Sequence, residues 1–328
     1  MALRLLLLGL LACAGTHTLQ APLAMADEQL AVAKSEHYEL RYAGDKREAE
    51  EYLAVLEAAW PQYEAFFGAA PKLGKDERLI VHFARDRAGF ERAIRADGTR
   101  PPGSAGGYYW PGSRKAYLFR QPTRYYTRAL LIHECAHQFH YLARTGNRNP
   151  KASWYTEGVA EHLCWHEWDG RQLKLGLRPE ISLKDYPAAA AKEIDAKDFD
   201  LPQALASPHG TSRPVGWALV HFMATADAHV RPARFRRFRS AMDKGAEAAR
   251  AFERHIGNAD KLLPLFREWL RERAQPWDHV FNEWEVQATG QFRGTASVVS
   301  LCAHRQDAQA IEAQLRVPAE ARFKGGLV

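Results

Sequence analysis

The segment YYTRALLIHECAHQFHYLARTG, residues 125–146, predicts one continuous helix in the interior of the protein. Its apolar residues Leu131, Cys135 and Phe139 recur at helical spacing and define an inward face. Gly146 is a residue of the type that commonly ends a helix. The sequence therefore predicts a buried helix here, and we expect the rest of the chain to pack around it.

Polar residues interrupt this helix in the order His-Glu-x-x-His, at His133, Glu134 and His137. The two histidines lie about 40° apart on one helix face, so both rings can reach the same ion. Burying them beside a carboxylate is unfavourable unless a partner compensates, and a metal ion is such a partner. The pattern predicts one catalytic zinc ion per chain, with a coordination position left for water. Glu134 is predicted to take a proton from that water.

The third metal ligand is predicted on the next helix. A further histidine on the first helix is excluded, because Ala143 stands where that pattern requires one. The segment SWYTEGVAEHL, residues 153–163, instead carries Glu157 and Glu161 one helical turn apart. The turn between the helices can bring Glu157 onto the metal. Glu161 would then lie one turn deeper, where it can accept the N–H of His133 and fix the tautomer of that ring.

Together these motifs resemble those of the gluzincins, the thermolysin-like clan of zinc metallopeptidases. The likeness is closest to secreted bacterial proteins of uncharacterised function that carry a peptidase-like core of this type. They share an HExxHQ helix, here HECAHQ, a WxxEGxAE helix, here WYTEGVAE, and an aromatic edge strand, here GGYYW at residues 106–110. The resemblance extends over residues 36–285, and its specific motifs lie within residues 106–162.

This resemblance implies a zincin-like α+β fold. An N-terminal mixed α/β lobe and a mostly helical C-terminal lobe would enclose the metal between them. His133, His137 and Glu157 would be the metal ligands, Glu134 the general base, and Glu161 the residue that orients a ligand. The implied reaction is hydrolysis of a peptide or protein substrate by zinc-activated water.

The sequence leaves the oxyanion donor open. Peptide hydrolysis needs a group that stabilises negative charge opposite the metal. Members of the family often carry a tyrosine before the helix that corresponds to SRPVGWALVHF, residues 212–222, and this chain has none there. The candidates are instead His209, Arg213, Tyr186 and Tyr155. The missing tyrosine motivates an alternative function, a zinc-containing binding or scaffold protein with a degenerate peptidase core and no turnover.

The chain changes character near residue 123. Before it, the sequence predicts strands at 36–44 and 78–85, helices at 45–68 and 87–98, and an edge hairpin at 108–119. Pro61 is expected to kink or divide the first of these helices. After it, helices are predicted at 124–144, 154–167, 212–227, 231–243, 246–256, 259–273 and 276–287, with a mostly irregular stretch at 168–211. The predicted domains are an α/β lobe at 27–122, a helical catalytic lobe at 123–290 and an extension of unknown role at 291–328.

The first 26 residues have the features of an export signal. Arg4 precedes an apolar run at residues 5–14, and residues 24–26 supply the small-x-small pattern that signal peptidase recognises. Lipid attachment at Cys13 is the alternative, although Leu11 is bulky for that signal. No later stretch reaches the ~20 apolar residues of a membrane helix. The chain is therefore expected to be exported, to the periplasm or the exterior, without a transmembrane segment.

The composition excludes other classes of protein. With 46% hydrophobic and 26% charged residues, the chain is typical of a globular protein. Cysteine is too scarce for a disulfide scaffold or a four-cysteine zinc site, because only three of the four cysteines follow the export signal. The densest basic run, RPARFRRFRS at 231–240, is interpreted as the solvated face of a helix whose Phe235 and Phe238 point inward. Nucleic acid is therefore not expected as a partner.

Overall fold

The computed structural model describes residues 30–103, 105–121, 124–148, 150–178, 186–207, 209–274, 279–284 and 299–304. Within these ranges the protein has a mixed α/β structure, in which helices cover a five-stranded sheet and further helices pack beside it. The predicted export signal at 1–26 lies outside the described residues, as does most of the predicted extension at 291–328.

The sheet contains parallel strands in its centre and antiparallel strands at both edges. Its strands are β1 (Ala31–Lys34), β2 (Tyr38–Tyr42), β3 (Leu79–Ala84), β4 (Gly107–Trp110) and β5 (Lys115–Phe119). They lie in the order β1-β2-β3-β5-β4, and the inner pairs β2–β3 and β3–β5 are parallel. The predicted hairpin is confirmed as β4 and β5, and β4 forms an edge of the sheet.

Helices cover both faces of this sheet. Helix α1 (Lys46–Phe67) connects β2 to β3, and α2 (Arg87–Ala96) connects β3 to β4. The predicted inward face of β2 is confirmed, because Tyr38, Leu40 and Tyr42 are buried in the core that the sheet shares with α1. Helix α2 packs on a smaller apolar cluster on the opposite face.

The rest of the chain is mostly helical. The elements are α3 (Arg124–His140), a π-helical turn (Tyr141–Thr145), α4 (Ser153–Cys164), β6 (His166–Trp168), β7 (Leu173–Leu175), α5 (Tyr186–Ile194), α6 (Leu201–Ala206), α7 (Arg213–Thr225), α8 (Pro232–Asp243), α9 (Ala248–His255), α10 (Ala259–Arg273), β8 (His279–Trp284) and β9 (Val299–His304). Phe235 and Phe238 of α8 are buried, as the basic run predicts.

Helix α3 occupies the centre of the fold. Its last ten residues are buried, and it contacts α1, α4, β4 and β5. The hydroxyl of Tyr63 on α1 donates a hydrogen bond to the carbonyl oxygen of Ile132, at 2.7 Å. The buried amide of Gln138 donates to the carbonyl oxygens of Ile80 and Arg114, at 3.1 and 2.8 Å. These bonds fix α3 against β3 and against the turn between β4 and β5.

Helix α1 is continuous, so the prediction that Pro61 divides it is wrong. A proline within a helix removes one backbone hydrogen bond and costs about 3 kcal/mol. Ten residues of α1 are buried against the sheet and α3, and this packing outweighs the loss. Tertiary packing therefore keeps α1 helical through Pro61, although proline by itself disfavours a helix.

One further prediction of local structure is wrong, and another is incomplete. Residues 168–211, predicted to be mostly irregular, also contain the short elements β7, α5 and α6. These elements are short and depend on packing, and α5 buries Ala190 and Ile194 beside α7. The helix predicted at 276–287 is replaced by β8, which pairs antiparallel with β9. That pairing joins residues distant in sequence, so local periodicity does not indicate it.

Among the described residues, no helix combines the length and the apolar character needed to cross a membrane.

Candidate metal centre

Helices α3 and α4 bring the three predicted metal ligands together. The buried rings of His133 and His137 lie on one face of α3, with their Nε2 atoms 3.2 Å apart. Helix α4 packs against α3 and directs Glu157 to the same point. Glu157 Oε2 lies 3.5 Å from His133 Nε2, and Glu157 Oε1 lies 3.5 Å from His137 Nε2.

The spacing of these donor atoms fits a tetrahedral metal ion. Ligand atoms about 2.05 Å from a tetrahedral zinc ion lie about 3.3 Å from one another. The two imidazole nitrogens are 3.2 Å apart, and each lies 3.5 Å from a different oxygen of Glu157. One donor atom from each residue lies within 4.8 Å of the other two, so side-chain adjustment of the Glu157 carboxylate would let the three residues enclose an ion.

Two of the three ligands, His137 and Glu157, have protonation states that suit metal binding. Burial lowers the pKa of His137 to about 3, so its ring is neutral. Burial would raise the pKa of Glu157, but the hydrogen bond to His133 and the positive charges of His133 and Arg213 hold that pKa well below its ordinary value. A neutral imidazole and an ionised carboxylate are the forms that coordinate a metal.

Glu134 is buried between α3 and the edge strand β4. A Cβ atom on Gly107 would lie 2.7 Å from Glu134 Oε1, so only glycine allows the strand to come this close. The backbone N–H of Tyr109 donates a hydrogen bond to the same carboxylate. Burial raises the pKa of Glu134 to about 7. A pKa near the operating pH suits a group that accepts a proton and then returns it.

Arg213, the first residue of α7, bridges two carboxylates of α4. Its Nη2 lies 3.1 Å from Glu157 Oε2, and its Nη1 lies 3.3 Å from Glu161 Oε1. Glu161 Oε1 also lies 3.8 Å from His133 Nδ1, which exceeds hydrogen-bond length. Glu161 is therefore next to the ring that it is predicted to orient, but its shorter contact is with Arg213.

Two pockets open on this group of residues. The first, which we call the cleft, has a volume of about 370 Å³ and is lined by β4 together with His133, Glu134, His137 and Glu157. The second, which we call the apolar pocket, has a volume of about 350 Å³. Its apolar wall is formed by Tyr126, Ala129, Leu130, Trp165, Tyr186 and Pro214. Both pockets share His133 and Arg213, so they meet at the candidate metal centre.

Of the four candidate oxyanion donors, Arg213 alone lines the cleft. Tyr155 is completely buried in the core, so its candidacy is wrong. Tyr186 lines the apolar pocket instead. His209 is hydrogen bonded at 2.9 Å to Oγ of Ser153, which lines the cleft, but His209 itself does not line it. The helical spacing that predicts the metal ligands carries no information about these longer-range placements.

Tyr141 is a cleft residue that the sequence prediction missed. It begins the π-helical turn after α3, and its ring centroid lies 6.2 Å from that of His137. Its hydroxyl is hydrogen bonded to Thr156, the residue before Glu157. The available signal was its position four residues after His137, which places it on the same side of the helix. Isolated π-helical turns are frequent at functional sites.

Two other groups of side chains within the described residues have metal-binding composition. One is exposed at the surface, where Glu36 is 83% exposed and His37 is already hydrogen bonded to Glu57 at 2.7 Å. The other adjoins the candidate centre and consists of His133, Glu161 and Cys164. Cys164 and Cys135 are both buried free thiols, so the two motif helices are not joined by a disulfide.

The geometry thus unites three potential metal ligands, a buried carboxylate and an arginine at one cleft. This arrangement can hold a divalent cation and can accept a proton beside it. A scan of the chain against protein-family models gives no match, and no curated protein matches it either.

Proposed function

We propose that this chain is an exported zinc-dependent peptidase of the gluzincin type, with a two-lobed zincin-like fold. The observation that carries the proposal is the convergence of His133, His137 and Glu157, whose donor atoms are separated by 3.2, 3.5 and 3.5 Å. Three protein ligands are typical of a catalytic zinc site, whereas structural zinc sites use four.

Zinc suits this set of two imidazole nitrogens and one carboxylate oxygen. When bound, it lowers the pKa of water to about 7 and polarises a substrate carbonyl. All three residues that would hold it line the cleft, so a substrate bound in the cleft would lie beside the metal.

Glu134 is the proposed proton carrier. Its carboxylate is buried beside the ligands and faces the cleft, and burial raises its pKa to about 7. It accepts a proton from the attacking water and delivers it to the nitrogen of the leaving amine, so that one water molecule is consumed for each peptide bond broken. The N–H of Tyr109 keeps the carboxylate in place during both transfers.

Arg213 and Tyr141 are the proposed donors toward the developing oxyanion. Both line the cleft together with Glu134 and the metal ligands. Arg213 also restrains Glu157 through the 3.1 Å contact, so it acts on the ligand as well as on the substrate. A preorganised donor of this kind is typically worth about 10²–10³ in kcat.

The walls of the two pockets support an extended peptide substrate. Strand β4 is an edge strand and lines the cleft, so a peptide can pair with it by backbone hydrogen bonds. The apolar pocket adjoins the same centre and offers Tyr126, Leu130 and Trp165 to a side chain next to the scissile bond. We therefore expect a preference for an apolar or aromatic residue there.

The test compares Glu134→Gln with His137→Ala in purified protein. Glu134→Gln should retain one zinc per chain by elemental analysis and lose about 10²–10⁴ in turnover of a diverse peptide library. His137→Ala should lose both the zinc and the activity. Cleavage at the normal rate by Glu134→Gln would refute the mechanism. Tight zinc binding without any Glu134-dependent cleavage would instead support the zinc-containing binding protein.

A further inference from the structure

We propose that His133, Glu161 and Cys164 form a second metal site, which takes thiophilic divalent cations such as Cd²⁺ or excess Zn²⁺. This site would compete with the first centre for His133. The inference rests on the proposed zinc centre only for its regulatory consequence, because the second group of ligands exists independently of catalysis.

The geometry of the second group is close to that of a metal site. His133 Nδ1 lies 3.8 Å from Glu161 Oε1, and Cys164 Sγ lies 3.8 Å from Glu161 Oε2. All three donor atoms lie within 4.8 Å of one another, and all three residues are buried. With bonds of about 2.0–2.3 Å, a tetrahedral ion would hold such donors about 3.3–3.7 Å apart. A bound ion would therefore require these donor atoms to approach one another by up to about 1 Å through side-chain adjustment.

The apolar pocket gives an ion access to this group. His133, Glu161 and Cys164 all line that pocket, on the side away from β4. Cys135, the other free thiol with a described side chain, is completely buried and lines neither pocket. The pocket therefore distinguishes the two thiols, and Cys164 is the one that a metal ion can reach.

The two sites compete because they use opposite nitrogens of one ring. His133 Nε2 faces His137 and Glu157, whereas Nδ1 faces Glu161. A neutral imidazole has a lone pair on only one nitrogen. Coordination through Nδ1 would therefore move the ring proton to Nε2 and weaken the bond to the first metal. A cation in the second site is expected to inhibit the enzyme by removing one ligand from the first.

Two features make this second site the weaker of the two. The Nη1 atom of Arg213 lies 3.3 Å from Glu161 Oε1 and repels an incoming cation. The thiol of Cys164 must also lose its proton as the sulfur–metal bond forms. Binding should therefore require metal in excess of that which fills the first centre.

The experiment titrates Cd²⁺ into the metal-free full-length chain and records the ultraviolet charge-transfer band of a cadmium thiolate. The first centre contains no sulfur, so the part of the band that depends on Cys164 reports the second site. Cys164→Ser should abolish the band, or weaken the cadmium affinity by more than about tenfold. Cys135→Ser is the matched control, because it changes an equally buried thiol on the neighbouring helix, and it should retain the band. Cys164→Ala provides a second variant in case the serine disturbs folding.

A band of normal intensity in both Cys164 variants, or an equal loss of the band in Cys135→Ser, would overturn the proposal.

A second measurement adds Zn²⁺ beyond one equivalent. Hydrolysis by the wild type should fall as the bound zinc rises toward two per chain, while Cys164→Ser should bind one zinc and its hydrolysis should not fall as zinc is added. His137→Ala separates the two hypotheses, because it should lose the first zinc and keep the cadmium band. If the chain is not a peptidase, the cadmium band that depends on Cys164 should still appear. If the second site does not exist, zinc-dependent hydrolysis should still occur, and no band should depend on Cys164.

Discussion

At the scale of single residues, the charges around His133 favour a bound cation. Burial lowers the pKa of this ring, but Glu157, Glu161 and Glu134 outweigh burial and raise it above the ordinary value. Arg213 contributes one positive charge, which it shares between Glu157 and Glu161. The carboxylates outnumber this guanidinium, so the remaining negative charge would stabilise a divalent cation bound among them.

Tyr141→Phe tests whether the tyrosine hydroxyl takes part in the reaction. The substitution removes one oxygen atom from the cleft and leaves the ring that packs near His137. We expect kcat to fall by about 10²–10³, with little change in KM or zinc content, because the hydroxyl would act only on the developing oxyanion.

Tyr109→Phe is the control for this experiment. Its hydroxyl donates to Asn147 Oδ1 at 2.6 Å, so the change removes a hydroxyl from another tyrosine that lines the cleft without removing a proposed donor. Normal kcat in Tyr141→Phe, together with a loss of stability of about 1 kcal/mol, would show that the hydroxyl serves only to hold Thr156.

The sequence predicts the site residues that lie close together along the chain, and it does not identify those that only folding brings to the site. His133, Glu134 and His137 lie within one helical turn or so, and their spacing alone brings them together. Arg213 meets Glu161 across 52 residues of chain, so the sequence names it only as one of four candidates. Which of those four faces the cleft depends on the packing of α7 against α4.

At the scale of elements, the approach of α4 to α7 is set by glycine. A Cβ atom on Gly158 would lie 2.3 Å from the carbonyl oxygen of Gly216, so the two backbones touch at this point. Helix α4 carries Glu157, and α7 begins with Arg213. The contact between the two glycines therefore determines how closely Arg213 can approach the metal ligand.

Gly158→Ala should force α4 and α7 apart. We expect a loss of about 1–3 kcal/mol in the free energy of unfolding, the usual effect of overpacking. Zinc affinity should fall as well, because the shift moves Glu157 relative to α3. Urea denaturation and zinc titration measure the two effects. Gly103→Ala is the control, since a Cβ atom there meets nothing within 4 Å. Identical behaviour of the two variants would contradict the glycine argument.

The same pair of helices contains a buried histidine pair that should make stability depend on pH. His162 Nδ1 lies 3.0 Å from His221 Nδ1, and both rings are buried. Burial, together with Arg273 and Arg178, lowers the pKa of His221 to about 4. The unfolded chain binds a proton at a pKa near 6.5, so it gains protons before the folded protein does. Stability is therefore complete above pH 6.5 and is lost as the pH falls toward 4.

His221→Gln isolates this contribution. Between pH 7 and pH 5, the wild type should lose about 2 kcal/mol more than the variant in the free energy of unfolding. Urea denaturation of the metal-free proteins at both pH values gives the difference. Equal losses in the two proteins would show that the pair does not titrate in this range. His82 and His166, whose pKa values are also lowered to about 4 by burial, are present in both proteins and cancel.

The elements that the sequence predicts correctly have strong periodicity of their own. The long helices α1 and α3 and the strand β2 bury residues at regular spacing, and the prediction finds all three. The short helices α5 and α6 and the strand β8 exist because other parts of the chain cover or pair with them. Their formation depends on contacts that periodicity does not contain.

At the scale of the whole molecule, the cleft combines distant parts of the fold. The metal ligands come from α3 and α4, the strand at the cleft wall comes from the sheet, and Arg213 comes from α7. Glu134 lies between the helices and the sheet, held by β4. Because these parts meet only in the folded protein, the complete set of ligands is absent from the unfolded chain.

Zinc should therefore stabilise the entire fold. At a free concentration about 1,000 times Kd, a ligand that binds only the native state adds about 4 kcal/mol to the free energy of unfolding. For a protein of this size that corresponds to a rise of roughly 10 °C in Tm. Thermal unfolding with zinc and with a chelator measures the shift. His137→Ala should remove it, whereas His209→Ala, which changes a histidine outside the metal ligands, should retain it. An equal shift in both variants would mean that zinc binds elsewhere, and no shift in the wild type would mean that the three ligands do not form a native metal site.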